Sequence, residues 1–283
     1  MSRKTILITG ATSGIGQAAS ALLLQHGYHV IIAGRDATKT VHVTESLRQQ
    51  TNCDAIDYVI ADLSSQADIR ALVTNVKAHF DRLDVLINNA GLQFLAQRKE
   101  STDGIEMHFA VNYLGTFLLT LELLDLLAAT GRSSGQNARV VNTASAAHRV
   151  GHFGLFSDLQ SERFYHPVFA YGKSKLGNIM FSYALARRVK GKPITVNVLN
   201  PGTVNTNPGV SDTPFVKFVQ CFVSDFLVEP EVGAATTVYL ATADEIANVS
   251  GGYWMNKKQV PSSGFSQIVD YQEHLWEISQ ELL

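Results

Sequence analysis

The sequence predicts an α/β fold: a single, doubly wound parallel sheet of about seven strands with helices on both faces. Three observations predict it. Short apolar runs alternate with longer segments of helical period along the whole chain. The short runs are rich in Val and Ile, which suits strands buried on both faces. No internal repeat or low-complexity tract interrupts the alternation, which implies right-handed crossovers within one sheet.

Taken in order, the strand candidates are residues 5–9, 28–33, 56–60, 85–88, 139–143, 195–199 and, more weakly patterned, 253–255. The helical stretches between them are 15–26, 38–50, 66–80, 104–129, 169–189 and 230–242. Residues 131–137 read as a surface loop, so residues 1–283 are one domain. The stretch 202–229 departs from the alternation, mixing Asn, Pro and Gly with a Phe- and Val-rich piece at 215–227. Following a strand's carboxyl end, it is expected to cover a ligand crevice as a lid.

Composition bounds the function. With 46% hydrophobic and 17% charged residues, the 283-residue chain has the material for a large core. A net charge of −2 gives no basic footprint for nucleic acid. Cys53 and Cys221 are far apart, without metal-type spacing, and read as reduced thiols of a cytoplasmic protein. No uncharged stretch reaches the ~18–20 residues of a membrane span, and no signal or anchor pattern opens the chain.

The first strand runs into Thr9-Gly10-Ala11-Thr12-Ser13-Gly14-Ile15-Gly16 and then a helix. Glycines let the backbone approach a pyrophosphate, and a helix N-terminus offers unpaired N–H groups to it. This is a nucleotide-binding, Rossmann-type arrangement, although the spacing is Gly-x-x-x-Gly-x-Gly. At the end of the second strand, where NAD sites place a carboxylate for the ribose 2′-hydroxyl, stands Gly34, followed by Arg35. A guanidinium there suits a 2′-phosphate, so NADP(H) is favoured over NAD(H). Asp36 is expected to cap the next helix.

Tyr171 and Lys175 are four residues apart on one helix, so phenol and ammonium share a face. A neighbouring ammonium is expected to lower the phenol from its ordinary pKa near 10. Alone the pair is unremarkable on a helix. It gains weight from Asn88-Asn89-Ala90-Gly91, Asn142-Thr143-Ala144-Ser145 and Asn200-Pro201-Gly202, each at the carboxyl end of a strand, where open α/β sheets bind ligands.

In this order and combination the motifs resemble the classical short-chain dehydrogenase/reductase family over nearly the whole chain. The resemblance implies that Tyr171 is the general acid/base, that Ser145 polarises the substrate oxygen, and that Lys175 holds the nicotinamide ribose. It makes Asn112 the holder of a proton-relay water. Asp62-Leu63 would contact adenine, and Gly10, Thr12 to Gly16, Arg35, Asn89 to Gly91, Pro201, Gly202, Val204 and Thr206 would complete the cofactor site. Family members usually pair through the helices at 104–129 and 169–189, which implies a homodimer or homotetramer.

Residues 112–120, 170–178 and 233–242, with the long insertion holding Phe153, Phe156 and Phe164, resemble the retinol dehydrogenase and WW-domain oxidoreductase branch. That resemblance implies an apolar aldehyde, ketone, or retinoid- or steroid-like alcohol as substrate. Two positions depart from it. Gln17 stands where the branch often has a basic residue, and Gly172-Lys173 replaces a common Cys-His. Two other readings exist: a non-catalytic dinucleotide-binding redox sensor, and a C=C reductase akin to the protochlorophyllide enzymes. His148, His152 and His166 read as loop or packing residues.

Overall fold

Strand β1 (Thr5–Thr9) buries Ile6 and Ile8 on one face of the sheet and Leu7 on the other. In the computed structural model, which describes residues 3–202 and 230–283, the same two-sided burial recurs through the central strands. These are β2 (His29–Gly34), β4 (Val85–Asn88), β5 (Ala138–Thr143) and β6 (Ile194–Leu199). With β3 (Ile56–Ile60) and β7 (Tyr253–Met255) they pair in parallel. The sheet order is β3-β2-β1-β4-β5-β6-β7, with a short strand β8 (Lys258–Gln259) beyond β7. The order reverses direction between β1 and β4, the switch point at which such sheets open a crevice.

Helices α1 (Gly14–Gln25), α2 (Ala37–Thr51) and α6 (Pro230–Thr242) cover the face carrying Ile6, Ile8, Val30 and Ile32. Helices α3 (Gln66–His79), α4 (Gly115–Ser134) and α5 (Pro167–Arg188) cover the face carrying Leu7, Leu86, Val140 and Val196. The doubly wound, Rossmann-type expectation holds. Asp36 caps α2 as expected, accepting from Lys39 N at 2.9 Å.

Four features differ from the sequence reading. A short eighth strand, β8 (Lys258–Gln259), runs antiparallel to β7. It follows a turn through Asn256 and Lys257 at φ 50° and 60°, with no glycine to signal it. Residues 131–137 are not a loop throughout, since α4 continues to Ser134. It ends at Gly135 in the left-handed conformation (φ +69°) that helix ends favour. Helix α4 is also entered through a widened π turn, Phe109–Leu114, in which the N–H of Gly115 reaches back five residues to Ala110 O.

The fourth is a C-terminal helix, α7 (Val269–Glu281), packed across α4 and α5. The Trp276 ring lies 4.9 Å from Phe117 and 5.8 Å from Phe181 by ring centroids, with the Arg188 guanidinium 3.9 Å above it. The helix continuing from the π turn, Phe109–Ser134, is long and apolar enough to cross a membrane, although Glu122 and Asp125 interrupt it. Within this fold 67% of its most apolar window is buried. Core burial therefore accounts for its apolar character. The expected lid, with Val204 and Thr206, and Cys221 lie outside the described residues, apart from Gly202.

Candidate active site

The parallel register brings the carboxyl ends of β1, β4, β5 and β6 level: Ile8 pairs Ile87, Asn88 pairs Asn142, and Thr143 pairs Leu199. The glycine loop leaves β1 at this edge. Gly10 takes φ +66° and Gly14 φ +54°, conformations costly for any other residue. A Cβ at Gly10 would stand 2.6 Å from Ala90 Cα, and one at Gly16 would stand 2.5 Å from Asn89 Nδ2. The loop is tied to the β4 exit by hydrogen bonds. Thr9 Oγ1 accepts from Asn89 N (3.1 Å) and Ala90 N (3.0 Å), and Asn89 Nδ2 donates to Thr9 O and Gly10 O. Asn89 therefore braces the loop with its side chain. Ser13 precedes α1 without capping it, which leaves first-turn N–H groups facing the loop for an anion.

At the end of β2, a Cβ on Gly34 would stand 2.8 Å from Thr12 Cγ2, so an acidic side chain has no room there. Arg35 is 65% exposed, with Nη1 3.9 Å from Asp62 Oδ2. Asp62 Oδ1 accepts from Ser64 N and Oγ, and Leu63 is buried beside Gly115. These residues, with the N-terminus of α1, form a cradle that fits a dinucleotide: bare backbone, free N–H donors and a cationic rim.

The reactive groups meet beyond β5. Ser145 leads into a short 3₁₀ turn, and its hydroxyl hydrogen-bonds Tyr171 at the start of α5. Lys175, one turn further, is 3% exposed, with Nζ donating to Thr143 O at 3.2 Å and lying 5.7 Å from the Tyr171 ring centroid. A Cβ on Gly91 would stand 3.1 Å from this Nζ and 3.5 Å from Asn112 Oδ1, so two predicted site residues converge on one bare glycine. Asn112, fully buried, accepts from Leu92 N (2.6 Å) and donates to Leu92 O and Ser174 Oγ (both 3.0 Å). Pro201 and Gly202 leave β6 at the same edge, with Gly202 N donating to Asn200 Oδ1. Asn88 and Asn142 do not face the site. They are buried in a chain of side-chain hydrogen bonds linking Thr120, Asn88, Asn142 and Ser182.

Electrostatics corrects one expectation. Burial pushes the Tyr171 phenol up from 10, and the hydrogen bond with Ser145 pulls it only partly back. Burial also pushes Lys175 down to about 8. Desolvation thus dominates each group, and at the phenol the hydrogen bond with Ser145 is what opposes it.

Residues the sequence reading passed over surround the site. Phe94 packs its edge on Tyr171 with ring centroids 5.1 Å apart. Its sequence signal was only its place three residues beyond Gly91. Lys173, where the resembling branch has His, is buried and bonds Asp158 O and Ser161 Oγ, pinning the insertion before α5.

His148, read as packing, is 1% exposed. Its Nδ1 donates to Ser145 O at 2.7 Å and its Nε2 accepts from Ser263 N at 3.2 Å. Burial holds it below its ordinary 6.5. Its contribution to stability is therefore complete above pH 6.5 and lost as pH falls through the folded value. Thermal melts at stepped pH are expected to show wild type losing stability below about pH 6.5 more steeply than His148→Gln. Parallel curves would contradict this.

A family model described as short chain dehydrogenase matches residues 4–214, and the chain belongs to that family. It is an NAD(P)-dependent oxidoreductase of the classical type, in the retinol dehydrogenase branch. Human polyprenol dehydrogenase is 38% identical over 99% of this chain and 84% of its own length. Human retinol dehydrogenase 14 is also 38% identical, over 100% of this chain and 87% of its own. The Pseudomonas aeruginosa RhlG/NADP active-site complex superposes with a TM-score of 0.69 at 28% identity, covering 88% of this chain and 93% of that one.

Proposed function

We propose that this chain transfers hydride between NADP(H) and an apolar aldehyde, ketone, or retinoid- or steroid-like alcohol, with Tyr171 as the acid/base. The observation that carries the proposal is the hydrogen bond between the Tyr171 and Ser145 side chains, with the buried Lys175 ammonium 5.7 Å from the Tyr171 ring centroid and beside Gly91. The nicotinamide supplies the hydride when bound. Ser145 and Tyr171 donate hydrogen bonds to the substrate oxygen as it becomes alkoxide-like, and Tyr171 then gives up its proton. Lys175 holds the nicotinamide ribose, and Asn112 anchors the relay that returns the proton.

Support for an apolar substrate comes from two directions. Phe94 flanks Tyr171, and the relatives carry the names polyprenol and retinol dehydrogenase. Support for NADP comes from Arg35 at the cradle rim and from the packing that denies Gly34 a carboxylate. The test is a substrate screen run with NADPH and NADH in parallel. Turnover of long apolar aldehydes with NADPH is expected, and Arg35→Ala is expected to raise the KM for NADPH about 10- to 100-fold while leaving NADH kinetics unchanged. Equal effects on both cofactors would contradict the 2′-phosphate assignment.

A further inference from the structure

Beneath Tyr171 lies a buried acid–base pair that the hydride-transfer reading does not use. Glu106 is 1% exposed and His108 fully buried. Glu106 Oε1 lies 2.8 Å from His108 Nδ1, and Oε2 accepts from Phe109 N at 2.9 Å. Both carboxylate oxygens are thus engaged, which keeps a buried charge from being stranded. The other imidazole nitrogen, Nε2, sits between two main-chain groups, Gln93 O at 3.0 Å and Leu95 N at 3.3 Å. With a proton on Nε2 it donates to Gln93; without one it accepts from Leu95. Either form grips the same segment.

That segment is held at three further points. Asn112 takes both main-chain groups of Leu92, and the Tyr165 hydroxyl donates to Leu95 O at 2.8 Å. The Tyr165 ring also stacks on His108, with centroids 6.4 Å apart and 25° between planes. Residues 92–95 follow the carboxyl end of β4 and have no regular structure of their own. What these bonds fix is the one side chain between them that meets the reactive tyrosine: Phe94, half-buried, edge-on to Tyr171.

The geometry points to Glu106 and His108 as positioning residues that clamp segment 92–95, so that Phe94 forms the wall against which the apolar part of the substrate lies. This rests on Tyr171 being the reacting group, and adds to it the element that selects long apolar chains over short ones. The His108 ring also packs edge-on to the Tyr171 ring, 6.3 Å away by centroids; the pair touches no reacting atom and shapes the substrate wall through Phe94.

The experiment measures calorimetric affinity of NADP⁺-loaded protein for decanol and for propanol. Phe94→Ala is expected to weaken decanol about 10-fold and leave propanol unchanged, as a lost apolar contact does. The pair is removed together, as Glu106→Gln with His108→Leu, so that no carboxylate is left buried and unpaired. This variant is expected to weaken decanol by the same about 10-fold, and the triple variant by no more, because clamp and wall are one device. Tyr165→Phe removes only the Leu95 bond from a ring of the same shape. It is expected to weaken decanol about threefold, and it decides the matter should the pair variant not fold.

Independent effects that multiply to about 100-fold in the triple variant, or decanol affinity unchanged in Phe94→Ala, would overturn the inference. Turnover of decanal is read separately with Tyr171→Phe, so failure of the acid/base assignment leaves the decanol affinities to judge the clamp.

Discussion

Replacing Tyr171 by Phe is expected to lower turnover of an apolar aldehyde about 1000-fold, within the range that positioned proton transfer contributes. NADPH affinity, read by fluorescence titration, is expected to stay within about twofold of wild type, since the ring and the glycine cradle are untouched. The substitution keeps the aromatic contact with Phe94 and removes only the hydroxyl that hydrogen-bonds Ser145. The lost hydrogen bond costs about 1 kcal/mol of stability, too little to unfold the chain. A Phe variant with near wild-type turnover would remove Tyr171 from the mechanism.

Replacing Lys175 by Met is expected to abolish useful turnover and yet stabilise the protein. The ammonium is 3% exposed, has Thr143 O as its hydrogen-bond acceptor, and is pushed from 10.5 down to about 8 by burial alone. That displacement corresponds to about 3 kcal/mol of unfavourable burial at neutral pH, at about 1.4 kcal/mol per pKa unit. Met fills similar volume without the charge. Thr143 O keeps a donor in Asn178 Nδ2 at 3.1 Å, so nothing is orphaned. The expected gain is about 1–3 kcal/mol, the usual direction of the trade between active-site function and stability. Because the folded value lies below the unfolded one, wild type recovers stability as pH rises from about 8 through 10.5. The advantage of Met is expected to shrink over the same window. A destabilised Met variant, or an advantage independent of pH, would show that Lys175 is not a buried charge held at a cost.

Much of this site was legible in the residues, for a physical reason. Strand and helix periodicity is local, and the glycine loop, Ser145, Tyr171 and Lys175 each sit at a strand end or helix start. Their meeting follows from the parallel register alone. What local pattern did not carry was long-range packing. Helix α7 draws its burial from Trp276 against Phe117, Phe181 and Arg188, residues far away in sequence. Strand β8 is two residues long and turns without glycine, so neither its period nor its turn announced it. The phenol's upward displacement was hidden for a related reason. The four-residue spacing to Lys175 shows an ammonium nearby, but not that both groups are withdrawn from water. That Asn88 and Asn142 join a buried hydrogen-bond chain was hidden too, because strand-end position does not tell which face of the sheet an amide joins.

The central claim, hydride transfer to a carbonyl carbon assisted by Tyr171, is tested most directly with NADPH deuterated at the transferring C4 position and a long-chain α,β-unsaturated aldehyde. Mass spectrometry and NMR of the product are expected to show one deuterium on the carbinol carbon of the allylic alcohol for each NADPH consumed, with the Tyr171→Phe enzyme forming almost none. Deuterium at the β-carbon of a saturated aldehyde, or NADPH bound with no product formed, would contradict it.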